Sequence, residues 1–138
     1  RDVERSRGLG DVYKRQSLDA MEATLSVLGG MAGNGRRFAV LGSMLELGDY
    51  AEEGHRRAGR AAAQYADALY AYGPDAAAMV AGAREKGMEH AYAFDDQTAL
   101  VAALREDAKK GDALLFKGSR GMRMERALAM FLGEEVEA

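Results

Sequence analysis

The chain is poor in several residue types, and each shortage excludes a class of protein. It contains no cysteine, which excludes disulfides and thiolate metal sites, and its two histidines, His55 and His90, are too few to suggest a zinc site. No apolar run reaches the roughly 20 residues that a membrane span requires. Basic residues are scattered along a chain of net charge −3, so neither nucleic acid nor a membrane is an expected partner. Because no leader of charged and then apolar residues is found, we expect a cytoplasmic protein.

The composition of the chain is typical of one globular domain, and this domain is preceded by a polar segment. Apolar residues make up 48% and charged residues 30% of the 138 residues, which is enough apolar material for a real core. Residues 1–16 (RDVERSRGLGDVYKRQ) are polar and show neither a helical nor a strand period. We predict that they are a foreign or disordered lead-in, and that the domain covers residues 17–138.

From Ser17 onward, short apolar runs alternate with segments of helical periodicity. The runs predict four strands, at residues 37–41, 68–72, 90–94 and 113–116, and the first of them is expected to be buried. The helices are predicted from their start signals, which are Ser17 as N-cap, Asp49 with Glu52 as a capping box, Pro74 at a first helical position and Asp95 as N-cap. A last helix covers residues 124–131, and residues 134–138 are predicted to fray.

This alternation predicts an α/β fold, a Rossmann-like three-layer sandwich with a mostly parallel sheet and right-handed crossovers. Gly54 and Gly59 lie inside a predicted helix, where each costs up to about 1 kcal/mol relative to alanine. We therefore expect both glycines to pack closely against the sheet. In such a fold the loops at the carboxyl ends of the strands bind ligands.

One of these loops, Lys117-Gly118-Ser119-Arg120-Gly121, has the chemistry of an anion site. Its glycines allow backbone N–H groups to approach a ligand, Lys117 offers a point charge, and Arg120 can grip a carboxylate or phosphate through two hydrogen bonds. The same residues would also suit a tight turn with solvated charges. Residue types alone do not decide between an anion site and such a turn. The residue order is not that of a Walker A loop.

The loop after the first strand, residues 42–48, is apolar where polar residues are usual. Met44 and the leucines beside it either plug the top of the sheet or dock another domain. Glu46 is the one carboxylate of this loop, and it either meets a substrate ammonium or is a surface acid. His55, on the next helix, could orient the loop by hydrogen bonding, although a lone helix histidine is more often structural.

Other polar and aromatic residues have simpler interpretations. Asp95 and Asp96 follow the third strand and could hold Mg²⁺, but the position of Asp95 favours a helix cap. The tyrosines lie at core spacing, and the methionines are expected to fill the core or an interface.

Both loops, with the residues around them, resemble the C-terminal domain of the Mur ligases. The resemblance is carried by residues 37–48 (RFAVLGSMLELG), by His55 and Gly59, and by residues 115–126 (LFKGSRGMRMER), and it extends from Ser17 to about Gly133. Ser43 departs from the aspartate of the family pattern, which weakens any role carried over to that side chain.

The resemblance is strongest to the members that add D-alanyl-D-alanine to a UDP-N-acetylmuramoyl-tripeptide (UDP-MurNAc-tripeptide) in peptidoglycan synthesis. It implies a fragment of an ATP-dependent amide ligase that closes over the active site and helps to bind nucleotide and dipeptide. ATP and Mg²⁺ would be bound mainly by N-terminal and central domains absent from this chain, so the chain alone should be inactive. The resemblance also implies that a strand upstream of Ser17 is missing, which would expose a sheet edge.

The same resemblance assigns roles to individual residues. Lys117, Ser119 and Arg120 would contact the dipeptide carboxylate or the phosphates. Glu46 and Met44 would shape the pocket.

Two other functions stay open. A stand-alone phosphate-binding or receiver-like regulatory module is suggested by a lysine that ends the last strand and by acids at another strand end. Such a module needs an aspartate at the end of a central strand, where this chain has Gly42 and Ser43. A dimerisation domain is suggested by the apolar loop around Met44.

Overall fold

The structure, a computed structural model, describes residues 2–31 and 33–134, with side chains from residue 15 onward. In this part of the chain helices and strands alternate. The helices are α1 (Asp2–Gly29), α2 (Ala51–Tyr65), α3 (Ala76–Glu85), α4 (Gln97–Asp107) and α5 (Met124–Phe131). The strands are β1 (Arg37–Gly42), β2 (Ala68–Tyr72), β3 (Ala91–Phe94) and β4 (Ala113–Lys117), and two 3₁₀ segments cover Leu45–Tyr50 and Arg120–Met122. None of the described helices is long and apolar enough to cross a bilayer.

The four strands form one parallel sheet in the order β3-β2-β1-β4, which confirms the predicted α/β fold. Val40 in β1 lies opposite Tyr70 in β2 and Phe116 in β4. Helices α1, α2 and α3 cover one face around Leu41 and Leu69, and α4 and α5 cover the other face around Phe38 and Val40. Every residue of β4 is partly exposed, and no described strand pairs with its outer edge.

Several predicted helix starts are wrong because local start signals compete with the surrounding fold. Helix α1 begins at Asp2, so Ser17 lies inside it and is not an N-cap. Polar residues on a helical extension carry no apolar period, which is why the sequence pattern ended at Ser17. The origin of residues 1–16 stays a prediction. Of the predicted fraying tail, residues 135–138 lie outside the described part of the chain.

The later starts shift by one or two residues. Asp49 belongs to the first 3₁₀ segment, and α2 begins after Tyr50 without a side-chain cap, so the predicted capping box does not form. Pro74 lies in the turn before α3 rather than in its first position. The cap of α4 is Asp96 rather than Asp95, and it accepts the N–H groups of residues 98 and 99 at 3.2 and 3.3 Å.

The glycines of α2 pack against other helical segments, not against the sheet as predicted. A Cβ on Gly59 would overlap the carbonyl oxygen of Met79, and a Cβ on Gly82 would overlap that of Arg56. Helices α2 and α3 therefore touch backbone to backbone at two reciprocal glycines. A Cβ on Gly54 would meet the side chain of Leu47 in the 3₁₀ segment.

Tyr70 and Met79 fill the core, as predicted, whereas Tyr92 and Met31 are exposed. The Tyr70 ring stacks on Phe94 at a centroid distance of 5.8 Å, and its hydroxyl donates to Asp107 Oδ2 at 2.8 Å. Burial and this acceptor raise the pKa of Tyr70. Met79 is fully buried between α3 and the sheet.

Candidate functional site

The two loops singled out in the sequence meet at the carboxyl edge of the sheet. Because β1 and β4 are parallel neighbours, their carboxyl ends lie side by side. We call residues 43–48 the β1 loop and residues 117–122 the β4 loop. The Ser119 hydroxyl accepts the N–H of Leu45 at 2.8 Å and donates to Oε1 of Glu46. The Ser119 N–H donates to the Ser43 carbonyl at 3.2 Å. One serine therefore holds the two loops together, which confirms that they face each other.

Glycines allow this close approach of the two backbones. A Cβ on Gly118 would lie 2.9 Å from Cα of Gly42, and a Cβ on Gly121 would lie 2.9 Å from Cδ1 of Leu45. Gly48, with φ of 56° and ψ of −128°, turns the β1 loop toward α2 in a conformation that favours glycine. A larger residue at position 118 would push the loops apart.

His55 fixes the other side of the β1 loop from inside the domain. Its side chain is 0% exposed. Nε2 accepts the N–H of Met44 at 2.8 Å, and Nδ1 lies 2.6 Å from the carbonyl oxygen of Ala51. Only a neutral ring with its proton on Nδ1 satisfies both contacts. His55 therefore orients the loop, as predicted, and does so as a buried structural group.

Ser43, the residue that departs from the family pattern, has a structural role of its own. Its side chain is fully buried. Its hydroxyl accepts the Asp75 N–H at 3.0 Å and lies 3.3 Å from the carbonyl oxygen of Tyr72, to which it donates. Ser43 thus ties the β1 loop to the turn between β2 and α3.

A small pocket of about 160 Å³ lies between these loops and α1. Lys117 and Glu46 line it, so it presents a cation and a carboxylate. Met44 is 3% exposed and forms part of the wall. The sequence did not predict that α1 contributes to this pocket, although small residues on that helix could have indicated it. The residues that line the pocket are Ser17, Ala20, Met21, Met44, Glu46, Lys117, Gly118 and Ser119.

Arg120 lies at the same edge but outside this pocket. It begins the second 3₁₀ segment and its side chain is exposed. Among the described residues, the side chains of Lys117 and Arg120 form no ion pair. By contrast, Arg56 and Arg60 on α2 each pair with two carboxylates. We call the carboxyl edge of the sheet, where the β1 and β4 loops meet, the rim. The rim therefore offers two cations, the side chains of Lys117 and Arg120, that are available to a ligand.

The described residues contain no group of three histidine, aspartate or glutamate side chains that could share a metal ion. Asp96 is engaged in capping α4. The apolar β1 loop is also mostly internal, because Met44 and Leu47 are buried and only Leu45 is widely exposed, at 52%. This arrangement removes most of the apolar surface on which a dimerisation domain would depend.

Comparison with known proteins gives a consistent family. Residues 16–120 match the family described as "Mur ligase, glutamate ligase domain". The chain is 34% identical over 119 residues to the UDP-N-acetylmuramoyl-tripeptide–D-alanyl-D-alanine ligase of Bacillus subtilis, covering 85% of this chain and 26% of that relative. It is 40% identical over 129 residues to the enzyme of the same name from Synechocystis, covering 91% and 27%.

Solved structures agree with the sequence matches. MurF ligase from Thermotoga maritima in complex with ADP superposes with a TM-score of 0.68 at 31% identity, covering 85% of this chain and 26% of that one. A MurF structure from Acinetobacter baumannii gives a TM-score of 0.73 at 29% identity, with coverage of 85% and 26%. The chain thus spans about a quarter of the length of these relatives.

Proposed function

Because the chain belongs to the Mur ligase family, we propose that it is the C-terminal part of an ATP-dependent ligase that joins D-alanyl-D-alanine to UDP-MurNAc-tripeptide. The names of the two curated relatives support this substrate pair. The alternative of a receiver-like module is not favoured, since neither the family match nor the relatives point to one. Consumption of ATP and of a UDP-linked precursor in peptidoglycan synthesis would take place in the cytoplasm.

The pocket between the β1 and β4 loops is the proposed dipeptide site of this domain. A dipeptide is a zwitterion, with an ammonium at one end and a carboxylate at the other. Glu46 suits the ammonium, and Lys117 suits the carboxylate, with Arg120 available at the outer rim. The observation that carries the proposal is that Glu46 and Lys117 line one pocket, in which the Ser119 hydroxyl holds Glu46 by a hydrogen bond. The pocket is small, at about 160 Å³, and another domain would complete the site.

The remaining parts of the reaction belong to the rest of the proposed enzyme. ATP and Mg²⁺ would be bound mainly by the N-terminal and central domains, where ATP supplies the phosphoryl group that activates the tripeptide carboxylate. This domain would close over that site, hold the incoming amine and exclude water. The partly exposed outer edge of β4 is where we place the additional strand that the larger enzyme supplies.

A domain exchange tests this proposal. Residues 17–134 replace the corresponding domain of the Bacillus subtilis relative, and ligation of D-alanyl-D-alanine to UDP-MurNAc-tripeptide is measured by product formation. We expect activity in the chimera and none in the isolated 138-residue chain. Lys117→Met and Glu46→Gln in the chimera should raise the KM for the dipeptide by about tenfold or more, since each removes one charged contact.

Arg105→Gln, an exposed change on α4 away from the rim, is the matched control and should leave KM unchanged. A folded chimera without ligase activity would contradict the proposal. Turnover by the isolated chain would contradict the dependence on the other domains.

A further inference from the structure

A second pocket, of about 280 Å³, lies near the carboxyl edge of the sheet on the face covered by α4 and α5. Arg123 and Arg126, at the start of α5, line it together with Thr98 of α4. Tyr72 and Met130 supply an apolar wall. None of these residues lines the pocket between the β1 and β4 loops, so this is a separate site with its own chemistry.

Arg126 is the unusual residue of this pocket. Its Nε atom is buried and has no hydrogen-bond partner, and it is the one buried side-chain nitrogen or oxygen among the described residues without a partner. Leaving a buried donor of a charged group without an acceptor is unfavourable, so such an atom calls for an explanation. An acceptor bound in the pocket would supply the missing partner.

Arg123 is placed beside Arg126 by a strained backbone. Its φ of 52° is the single positive value of a non-glycine residue in the described chain, and this conformation is unfavourable for a residue with a Cβ. The Gln97 side chain holds the turn by donating to the carbonyl oxygens of Met122 at 2.9 Å and Arg123 at 3.0 Å. Arg123 thus precedes the first turn of α5, and its side chain lines the same pocket as that of Arg126.

The charge balance of the pocket favours an anion. Neither arginine takes part in an ion pair within the described residues, whereas Arg56, Arg57 and Arg60 on α2 each pair with two carboxylates. Asp96 also lines the pocket, but its carboxylate accepts two backbone N–H groups at the start of α4. Two guanidinium groups against one capped carboxylate leave an excess of positive charge.

We propose that this pocket binds the phosphate group of a small molecule, with Arg126 and Arg123 as the anion ligands. A guanidinium presents Nε and Nη donors in a planar fork that matches two oxygens of a phosphate. The Thr98 hydroxyl adds a neutral donor, and Tyr72 with Met130 would contact the organic part of the ligand. The inference goes beyond the proposed ligase function, because it concerns a different pocket and does not depend on which reaction the larger enzyme performs.

The test is a titration of the ¹⁵N-labelled 138-residue chain with inorganic phosphate, with ADP in a parallel series to ask whether a nucleotide is the better source of the group. We expect saturable amide shifts at Thr98, Arg123 and Arg126 in both series. Tighter binding of ADP would assign the site to a nucleotide, and equal binding would assign it to the phosphate alone. Arg126→Gln should weaken binding by about tenfold, the loss expected for a charge-assisted hydrogen bond.

Arg123→Asn provides a second variant that should fold well, because asparagine tolerates the left-handed backbone. It should also weaken binding by about tenfold, while the control Arg105→Gln should leave binding unchanged. The proposal is overturned if phosphate produces no saturable shift, if the shifts centre on Lys117, or if both pocket variants bind as tightly as the wild type.

Discussion

Replacement of Ser119 by alanine tests the contact that joins the two loops. The wild-type hydroxyl accepts the Leu45 N–H at 2.8 Å and donates to Glu46. Alanine removes both hydrogen bonds without adding bulk, so the β1 and β4 loops should lose their main side-chain link. The backbone hydrogen bond from the Ser119 N–H to the Ser43 carbonyl remains.

The size of the effect follows from the two lost contacts. Leu45 is 52% exposed, so water can partly replace the lost acceptor, and this hydrogen bond contributes about 0.5 kcal/mol. The bond to the half-buried Glu46 carboxylate is charge-assisted and contributes about 1.5 kcal/mol, the low end for such contacts. Together they give a loss of about 2 kcal/mol, or roughly a thirtyfold change in the folding equilibrium.

Urea unfolding followed by far-UV circular dichroism measures this difference. Ser26→Ala is the matched control, because that hydroxyl only donates to the Ala23 carbonyl within the exposed face of α1, and it should change stability by less than about 0.5 kcal/mol. A double-mutant cycle of Ser119→Ala with Glu46→Gln should show a coupling of about 1 kcal/mol. If Ser119→Ala unfolds at the wild-type urea concentration, the serine does not hold the loops and the reasoning is refuted.

Three further predictions concern the scaffold. Gly59→Ala should cost about 3 kcal/mol because its Cβ would overlap the Met79 carbonyl, whereas Gly30→Ala, with no atom closer than 3.6 Å, should be nearly neutral in the same urea assay. Asp96→Ala should cost about 1 kcal/mol through loss of the α4 cap, measured by thermal unfolding; an unchanged Tm would contradict that role. The N–H groups of Lys109 and Arg36 hold the pKa of Asp112 below its ordinary value of 3.8. This carboxylate therefore contributes stability that is present above about pH 4 and is lost as the pH falls through its folded pKa. Asp112→Asn should flatten the acid limb of a stability–pH curve, and an unchanged limb would refute the assignment.

The periodicity of the chain predicted the order of elements and the edge of the sheet where the loops meet. Val40 and Phe116 lie in short apolar runs, and parallel pairing of such runs brings their following loops together. The residue types of the β4 loop, with Lys117 and Arg120, suggested an anion site but fitted a tight turn equally well, so the binding role of these residues stays a prediction. The order of the elements could thus be predicted from residue type, and the edge where the loops meet could be predicted from the topology of a parallel sheet.

Other features could not be read from the sequence because they depend on tertiary contacts. Gly59 looked like a contact with the sheet, but only the packing of α2 on α3 shows that it meets the Met79 carbonyl. The sequence favoured Asp95 as the cap of α4, but Asp96 is the same residue type one position later and the backbone selects it. The unpaired Nε of Arg126 has no sequence signature, since its pocket is formed by residues from four separate segments.

The most direct test of the account is whether Ser119 and Leu45 are in contact in solution. A ¹⁵N-edited NOESY spectrum of the chain should show a strong cross-peak between the Leu45 amide proton and the β protons of Ser119, because the Leu45 nitrogen lies 2.8 Å from the Ser119 hydroxyl oxygen. The absence of that cross-peak in a well-folded, fully assigned sample would mean that the two loops do not form one rim.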